Sequence, residues 1–227
     1  MTRVLTRDAL LNGAFHKLIE AANPPIPILT DAEREASIRT TFGARLGKQS
    51  IWVFAYGSLI WNPTFHFVGR RIGRIRGYHR QFCLRTPIGR GSKDCPGLVL
   101  GLERGGSCRG VVFELSAAEA PHEIELLWRR EMVSGSYRPR WVKVETDNGP
   151  VRAVTFVINR AHPNYAGGLD FDVTCRMIAD AVGLLGPCAD YLFETVSHLE
   201  QLGIHDRLLA KLRAQVAKLH AERAAPG

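Results

Sequence analysis

Apolar positions in the first fifty residues recur with a helical period. Leu11, Phe15 and Leu18 fall at i, i+4 and i+7 within residues 8–21, the spacing of one helix face. The run Asn23-Pro24-Pro25-Ile26-Pro27 breaks any helix before it. Thr30-Asp31-Ala32-Glu33 has the form of a capping box, so a second helix is predicted from Thr30, stopping near Gly43 or Gly47. At Ile51 the period changes. Residues 51–56 form an uninterrupted apolar run closed by Gly57-Ser58, as in a buried strand that enters a tight loop. Further strands are predicted at 65–68, 74–84, 98–103, 110–115, 140–145 and 151–158. The last two are joined through Asn148-Gly149, a hairpin signal.

One helix interrupts the strands. Pro121 suits its first turn, and Ile124, Leu127, Trp128 and Glu131 then fall at i, i+3, i+4 and i+7 until Gly135. After residue 158 the pattern is helical, with helices expected over 171–184, 189–202 and 205–223. Many strands, one inserted helix and a helical tail imply an α+β fold with a largely antiparallel sheet or barrel, because parallel units need a helix between successive strands. The expected organisation is a helical N-terminal extension, residues 1–50, and a domain over residues 51–227.

Composition narrows this picture only slightly. The 227 residues are 45% apolar and 23% charged, with a formal net charge of +8, the make-up of a globular protein with a basic tilt. No apolar run is long enough for a membrane helix, and the opening residues lack the parts of a signal peptide, so a cytoplasmic protein is expected. The five cysteines form no CxxC or Cys/His ligand cluster and read as reduced thiols. No metal site is expected, since the histidines show no ligand spacing. The charge admits nucleic acid, an anionic membrane surface or acidic small molecules without choosing among them.

Three features could carry chemistry. Glu131 closes the apolar stripe of its helix, while Arg129 and Arg130 are expected to point elsewhere. An inward carboxylate is either paired with an arginine as a structural group, or desolvated toward the pKa of a general base near neutrality. The loop Ala55-Tyr56-Gly57-Ser58 follows a buried strand. It reads either as an ordinary turn or as a place where amides, the Ser58 hydroxyl and the Tyr56 ring meet a ligand. Ile60 stands where a nucleophile elbow around Ser58 requires glycine. Finally, Arg70, Arg71, Arg74, Arg76, Arg80, Arg85, Arg90 and Lys93 form a basic run. Strand alternation predicts Arg74, Arg76 and Arg80 on one face with Tyr78 and Phe82, either a solvated face or an electropositive wall.

Taken in order, Val53-Phe-Ala-Tyr-Gly-Ser-Leu-Ile-Trp61, Arg76-Gly-Tyr-His-Arg-Gln-Phe-Cys83, Trp128-Arg-Arg-Glu-Met132 with Gly135-Ser-Tyr137, Asn164-Tyr-Ala-Gly-Gly168 and Gly186-Pro-Cys-Ala-Asp-Tyr-Leu-Phe-Glu194 resemble the ChaC-type γ-glutamylcyclotransferases. The resemblance spans about residues 51–212. It implies a small mixed, mostly antiparallel barrel with surrounding helices, and an enzyme that converts glutathione to 5-oxoproline and Cys-Gly with no cofactor or metal. It places the γ-glutamyl group on the loop Val53, Phe54, Ala55, Tyr56, Gly57 and Ser58, assigns acid/base catalysis to Glu131, and adds Tyr137 as a further contact. Ala55 replaces the family's first loop glycine, so the loop is preserved only if this position is extended. Ser136 likewise replaces a glycine. Other γ-glutamyl peptides or γ-glutamylamines are alternative substrates within the same resemblance, and a non-catalytic relative or a nucleic-acid binder lies outside it. A small acidic peptide is the expected partner of the basic run, with no nucleic acid and no membrane. The oligomeric state, monomer or dimer, is left open.

Overall fold

The computed structural model describes residues 4–224; the ends of the two expected segments, residues 1–3 and 225–227, lie outside it. Five strands close into a barrel in the order β1-β3-β2-β4-β5. They are β1 (Ile51–Ala55), β2 (Gly69–Thr86), β3 (Gly97–Leu115), β4 (Tyr137–Thr146) and β5 (Val151–Ile158). All neighbours are antiparallel except β1 and β5, which pair in parallel through Trp52 with Ala153 and Val53 with Val154. That one parallel seam makes the barrel mixed. The strands enclose a core of side chains including Phe54, Ile75, Leu100, Phe113, Val144 and Phe156.

The long β2–β3 hairpin decides the fate of the basic run. Arg76 pairs with Ser107 and Tyr78 with Arg104, so the register slips between them, where Gly77, Gly105 and Gly106 all take positive φ. Glycine alone adopts that backbone freely. The slip reverses the buried face: Ile75 is buried before it, and Arg80 and Phe82 are buried after it, up to a second shift between Phe82 and Leu84. Arg74 and Arg76 are therefore exposed, Arg76 pairing with Glu145 at 3.0 Å. Arg80 is buried with Asp206 at 3.4 Å. The single arginine face expected from simple alternation does not form.

The inserted helix α4 (Ala120–Glu131) carries Pro121 in its first turn, as predicted. Ile124, Leu127 and Trp128 are fully buried. Leu126 faces outward onto a second small core made with Leu10, Phe15 and Ile19, so α4 joins the barrel to the N-terminal helices. These are α1 (Arg7–Leu11), α2 (Ala14–Ala21) and α3 (Asp31–Phe42). The single helix expected over 8–21 is split, because Gly13 takes φ 73° and Asn12, at the end of α1, turns its side chain to accept the Ala14 amide at 2.9 Å. The capping box of Thr30 and Glu33 forms as read from the sequence. Phe42 sits between Trp128 and Trp141, while Trp128 Nε1 donates to Ser37 Oγ and Trp141 Nε1 to the Thr41 carbonyl.

The tail contains α5 (Phe171–Asp180), α6 (Cys188–Gln201) and α7 (Arg207–Ala224). Helix α5 stops short of residue 184, because Val182–Gly183 pairs with Gly186–Pro187 in a two-stranded ribbon, β6 and β7. Residues 65–68 are not a strand. Phe65 and Phe67 instead pack on Phe113.

Candidate active site

Strand β1 ends at Ala55, which is extended as the loop requires, and the chain then turns through Tyr56 and Gly57 into a single helical turn, Ser58–Ile60. A Cβ on Gly57 would stand 3.1 Å from Tyr191 Oη, so the loop relies on glycine for close approach to α6. Beside it lies a cavity of about 440 Å³ lined by Ser58, Arg90, Arg130, Glu131, Tyr137 and Tyr191, among others.

Glu131 is the last residue of α4, and its side chain is 15% exposed, toward this cavity. Burial raises its pKa, and Arg130 opposes that rise without cancelling it. The negative end of α4 also disfavours an anion there. Contrary to expectation, Arg130 does not point away. Its guanidinium is buried and donates from Nε to Glu131 Oε1 at 2.9 Å and from Nη2 to Ser58 Oγ at 3.0 Å. Nη1 donates to Thr64 Oγ1 at 3.2 Å and to the Asn62 carbonyl. One arginine thus fixes the carboxylate, the loop serine and the segment beyond it. The paired reading and the desolvated reading of Glu131 hold together: it has an arginine partner and a raised pKa.

Two tyrosines pin Leu100. Tyr137 donates its hydroxyl proton to the Leu100 carbonyl at 2.6 Å, and the Leu100 amide donates to Tyr191 Oη at 3.3 Å. Burial pushes both phenols upward, so each stays protonated. Tyr191 Oη is the acceptor in its bond to Leu100, and the ring lines the cavity. Arg90 lies over the Tyr191 ring and donates to the Pro187 carbonyl; burial lowers its pKa, and it makes no ion pair among the described residues.

Of the residues read from the sequence, the cavity gathers Ser58, Glu131 and Tyr137. Val53, Phe54 and Ala55 are wholly buried in β1 and carry the loop without facing the cavity. Tyr56 is buried, its hydroxyl donating to the Phe156 carbonyl at 2.8 Å, so it anchors the loop from below and is not an aromatic wall. Of the basic run, Arg90 alone lines the cavity. Arg130, Tyr191 and Asn62 were not singled out. Glu123, Leu127 and Arg130 recur at i, i+4 and i+7, and this second stripe was the available signal for Arg130.

A family profile described as ChaC-like protein matches residues 51–219. The chain belongs to the ChaC family. Among its relatives, the glutathione-specific γ-glutamylcyclotransferase of Escherichia coli is 37% identical over 220 residues, 96% of this chain and 95% of the relative. An alignment of that length takes in most of residues 1–50 of this ChaC-family chain as well. The mouse glutathione-specific γ-glutamylcyclotransferase 1 is 31% identical over 68% of this chain and 72% of its own. The crystal structure of a yeast γ-glutamyl cyclotransferase specific to glutathione shares the fold, with a TM-score of 0.69 and 22% identity over 75% of this chain and 96% of that one. No helix among the described residues is long and apolar enough to cross a membrane.

Proposed function

We propose that this ChaC-family chain is a glutathione-specific γ-glutamylcyclotransferase, a lyase that releases 5-oxoproline and Cys-Gly, with Glu131 as both base and acid. The observation that carries this reading is a buried carboxylate of raised pKa, oriented by Arg130, at the wall of a cavity beside the Ser58 turn. The names of the Escherichia coli and mouse relatives support the choice of substrate. Residues 51–227 carry the chemistry in this reading, and the setting is cytoplasmic.

The chemistry follows from the substrate's own geometry. A γ-glutamyl group holds its α-amine within reach of its γ-carbonyl carbon, so attack closes a five-membered lactam and proximity is largely built in. Glu131 takes a proton from the α-ammonium, and the freed amine lone pair adds to the carbonyl carbon. The carbonyl oxygen becomes an oxyanion and accepts from donors of the Tyr56–Ser58 loop and the Tyr191 hydroxyl. The tetrahedral intermediate then collapses: the C–N bond to cysteine breaks as that nitrogen takes the proton held by Glu131, and the second hydrogen of the ring nitrogen passes by way of the freed carboxylate to the departing amine, which leaves as an ammonium while the lactam keeps one N–H. Protons balance within one cycle. A raised pKa suits a carboxyl that must accept and return a proton near neutrality. Arg90, which makes no ion pair among the described residues and feels Asp190 and Glu194 only at longer range, suits a substrate carboxylate.

Product analysis tests the assignment. Purified protein given reduced glutathione should release 5-oxoproline and Cys-Gly in equal amounts, and should turn over γ-glutamyl-alanine and γ-glutamyl-lysine far more slowly. Faster turnover of either of those two would move the reading to another γ-glutamyl substrate. Absence of 5-oxoproline from all three would refute it.

A further inference from the structure

The N-terminal segment reaches the pocket. Val4, Leu5 and Phe15 line the cavity that holds Glu131, although they precede the stretch matched by the family profile. Arg7 grips Glu123 with both terminal nitrogens, at 2.6 and 2.7 Å, and its Nη1 also donates to the Thr64 carbonyl at 3.3 Å. The Glu123 side chain is wholly buried and accepts the His66 amide at 3.0 Å. Asn62 Nδ2 donates to the Leu5 carbonyl at 3.0 Å. Residues 62–66 are therefore clamped on one side by the N-terminal segment. On the other side the same residues hold Arg130, through the Asn62 carbonyl and Thr64 Oγ1. Thr64, gripped from both sides, stands at φ 59°, a conformation a β-branched residue keeps only when its surroundings impose it.

We propose that residues 4–15 form a strap that positions the catalytic carboxylate. Arg7 is a positioning residue that acts through Glu123 and residues 62–66 to hold Arg130, and through it Glu131, in reacting geometry. The proposal rests on the role given to Glu131 above. The path is short: Arg7 to the Thr64 carbonyl and, through Glu123, to the His66 amide, then the Thr64 hydroxyl, Arg130 and Glu131, with the bond from Asn62 to the Leu5 carbonyl running beside it. Restrained backbone strain at Thr64 supplies the reason the clamp matters, because a released loop would relax to negative φ and withdraw both acceptors from Arg130.

The test uses the full chain with Arg7→Ala and Arg7→Lys. Hydrogen exchange needs no ligand: in Arg7→Ala the amides of residues 60–68 exchange about tenfold faster or more, while those of 207–224 keep their rates. Kinetics follow with glutathione, well below each variant's melting temperature. In Arg7→Ala kcat falls about tenfold to a hundredfold, as expected for a misplaced reacting group, with a smaller change in KM. Lysine keeps the charge and one of the two bonds, so Arg7→Lys recovers part of kcat. A lower melting temperature with either kcat or the exchange of 60–68 unchanged overturns the proposal, since Arg7 would then be structural only. If the wild-type chain releases no 5-oxoproline, the reading of Glu131 fails and the exchange rates alone decide whether the strap holds the loop. Should Arg7→Ala not fold, Arg7→Gln with Glu123→Gln removes both charges while leaving an amide pair, and is judged by the same two measurements.

Discussion

Replacing Arg130 by methionine isolates what the guanidinium does for Glu131. In the folded protein Arg130 opposes the burial that raises the Glu131 pKa, chiefly through its charge and its 2.9 Å bond to Oε1. A hydrogen bond to a charged group contributes about 1.5–3 kcal/mol. At about 1.4 kcal/mol per pH unit, its loss moves the Glu131 titration upward by about one to two units. The base must be ionised in the free enzyme, so the acid limb of kcat/KM follows that titration. Arg130→Met should therefore lose activity most steeply at low pH, by about tenfold to a hundredfold below the shifted limb, and recover part of it as pH rises. Arg130→Lys, which keeps the charge without the fork, should fall between. The assay is 5-oxoproline release from glutathione across about pH 5 to about pH 9, with thermal melting to confirm the fold. Tyr56, Tyr137 and Tyr191 also feel Glu131, but their phenols are pushed upward and stay neutral over that range. An acid limb at the wild-type position, or one moved downward, would refute the reasoning.

Three other outcomes follow from the same geometry. Arg90→Met should raise KM for glutathione about tenfold or more while changing kcat less, because it removes from the pocket wall a cation that makes no ion pair among the described residues; steady-state kinetics show the split. Gly110→Ala should destabilise the chain by about 1–3 kcal/mol or more, since a Cβ there would collide with the Ala55 carbonyl and the Phe54 ring just before the Tyr56–Ser58 turn; denaturant melts measure it. Burial pushes the thiols of Cys83 and Cys188 up to about 12 and about 11, so both should resist a thiol reagent near neutral pH until the protein is unfolded, and half-buried Cys95 should react first.

Much of the fold was legible because its signals are local. Strand β5 and the starts of β1 and α5 match the period and the turn residues, and α4 and α6 match to within a residue at their starts. The failures arose where backbone conformation overrode pattern. Separate strands were expected at 98–103 and 110–115, yet β3 runs through both with a glycine-rich slip between them, and that slip turned Arg80 inward against simple alternation. Helix α5 ended early because residues 182–187 found a ribbon partner, a tertiary choice that propensity does not record.

The candidate site was legible in the residue that the proposal puts at its centre and not in its frame. Glu131 stood out because it ended an apolar stripe. Its partner did not, because a helical wheel sets Arg130 about 100° away, and only a long side chain folding back beneath the loop brings the guanidinium to Glu131 and Ser58. Tyr191 and Leu5 join the cavity through contacts far apart in sequence, with no local signature. Residues 53–56 were read as part of the substrate-holding loop, but Val53, Phe54, Ala55 and Tyr56 are buried and do not line the cavity, so they carry the loop from behind.

The most direct measurement is single-turnover release of 5-oxoproline from glutathione by Glu131→Gln beside the wild-type chain. Glutamine keeps the shape and can still accept from Arg130, but it cannot take a proton from the substrate's ammonium. The rate should fall by about a hundredfold to ten-thousandfold with the fold intact. Release at a rate close to that of the wild type would contradict the role of Glu131.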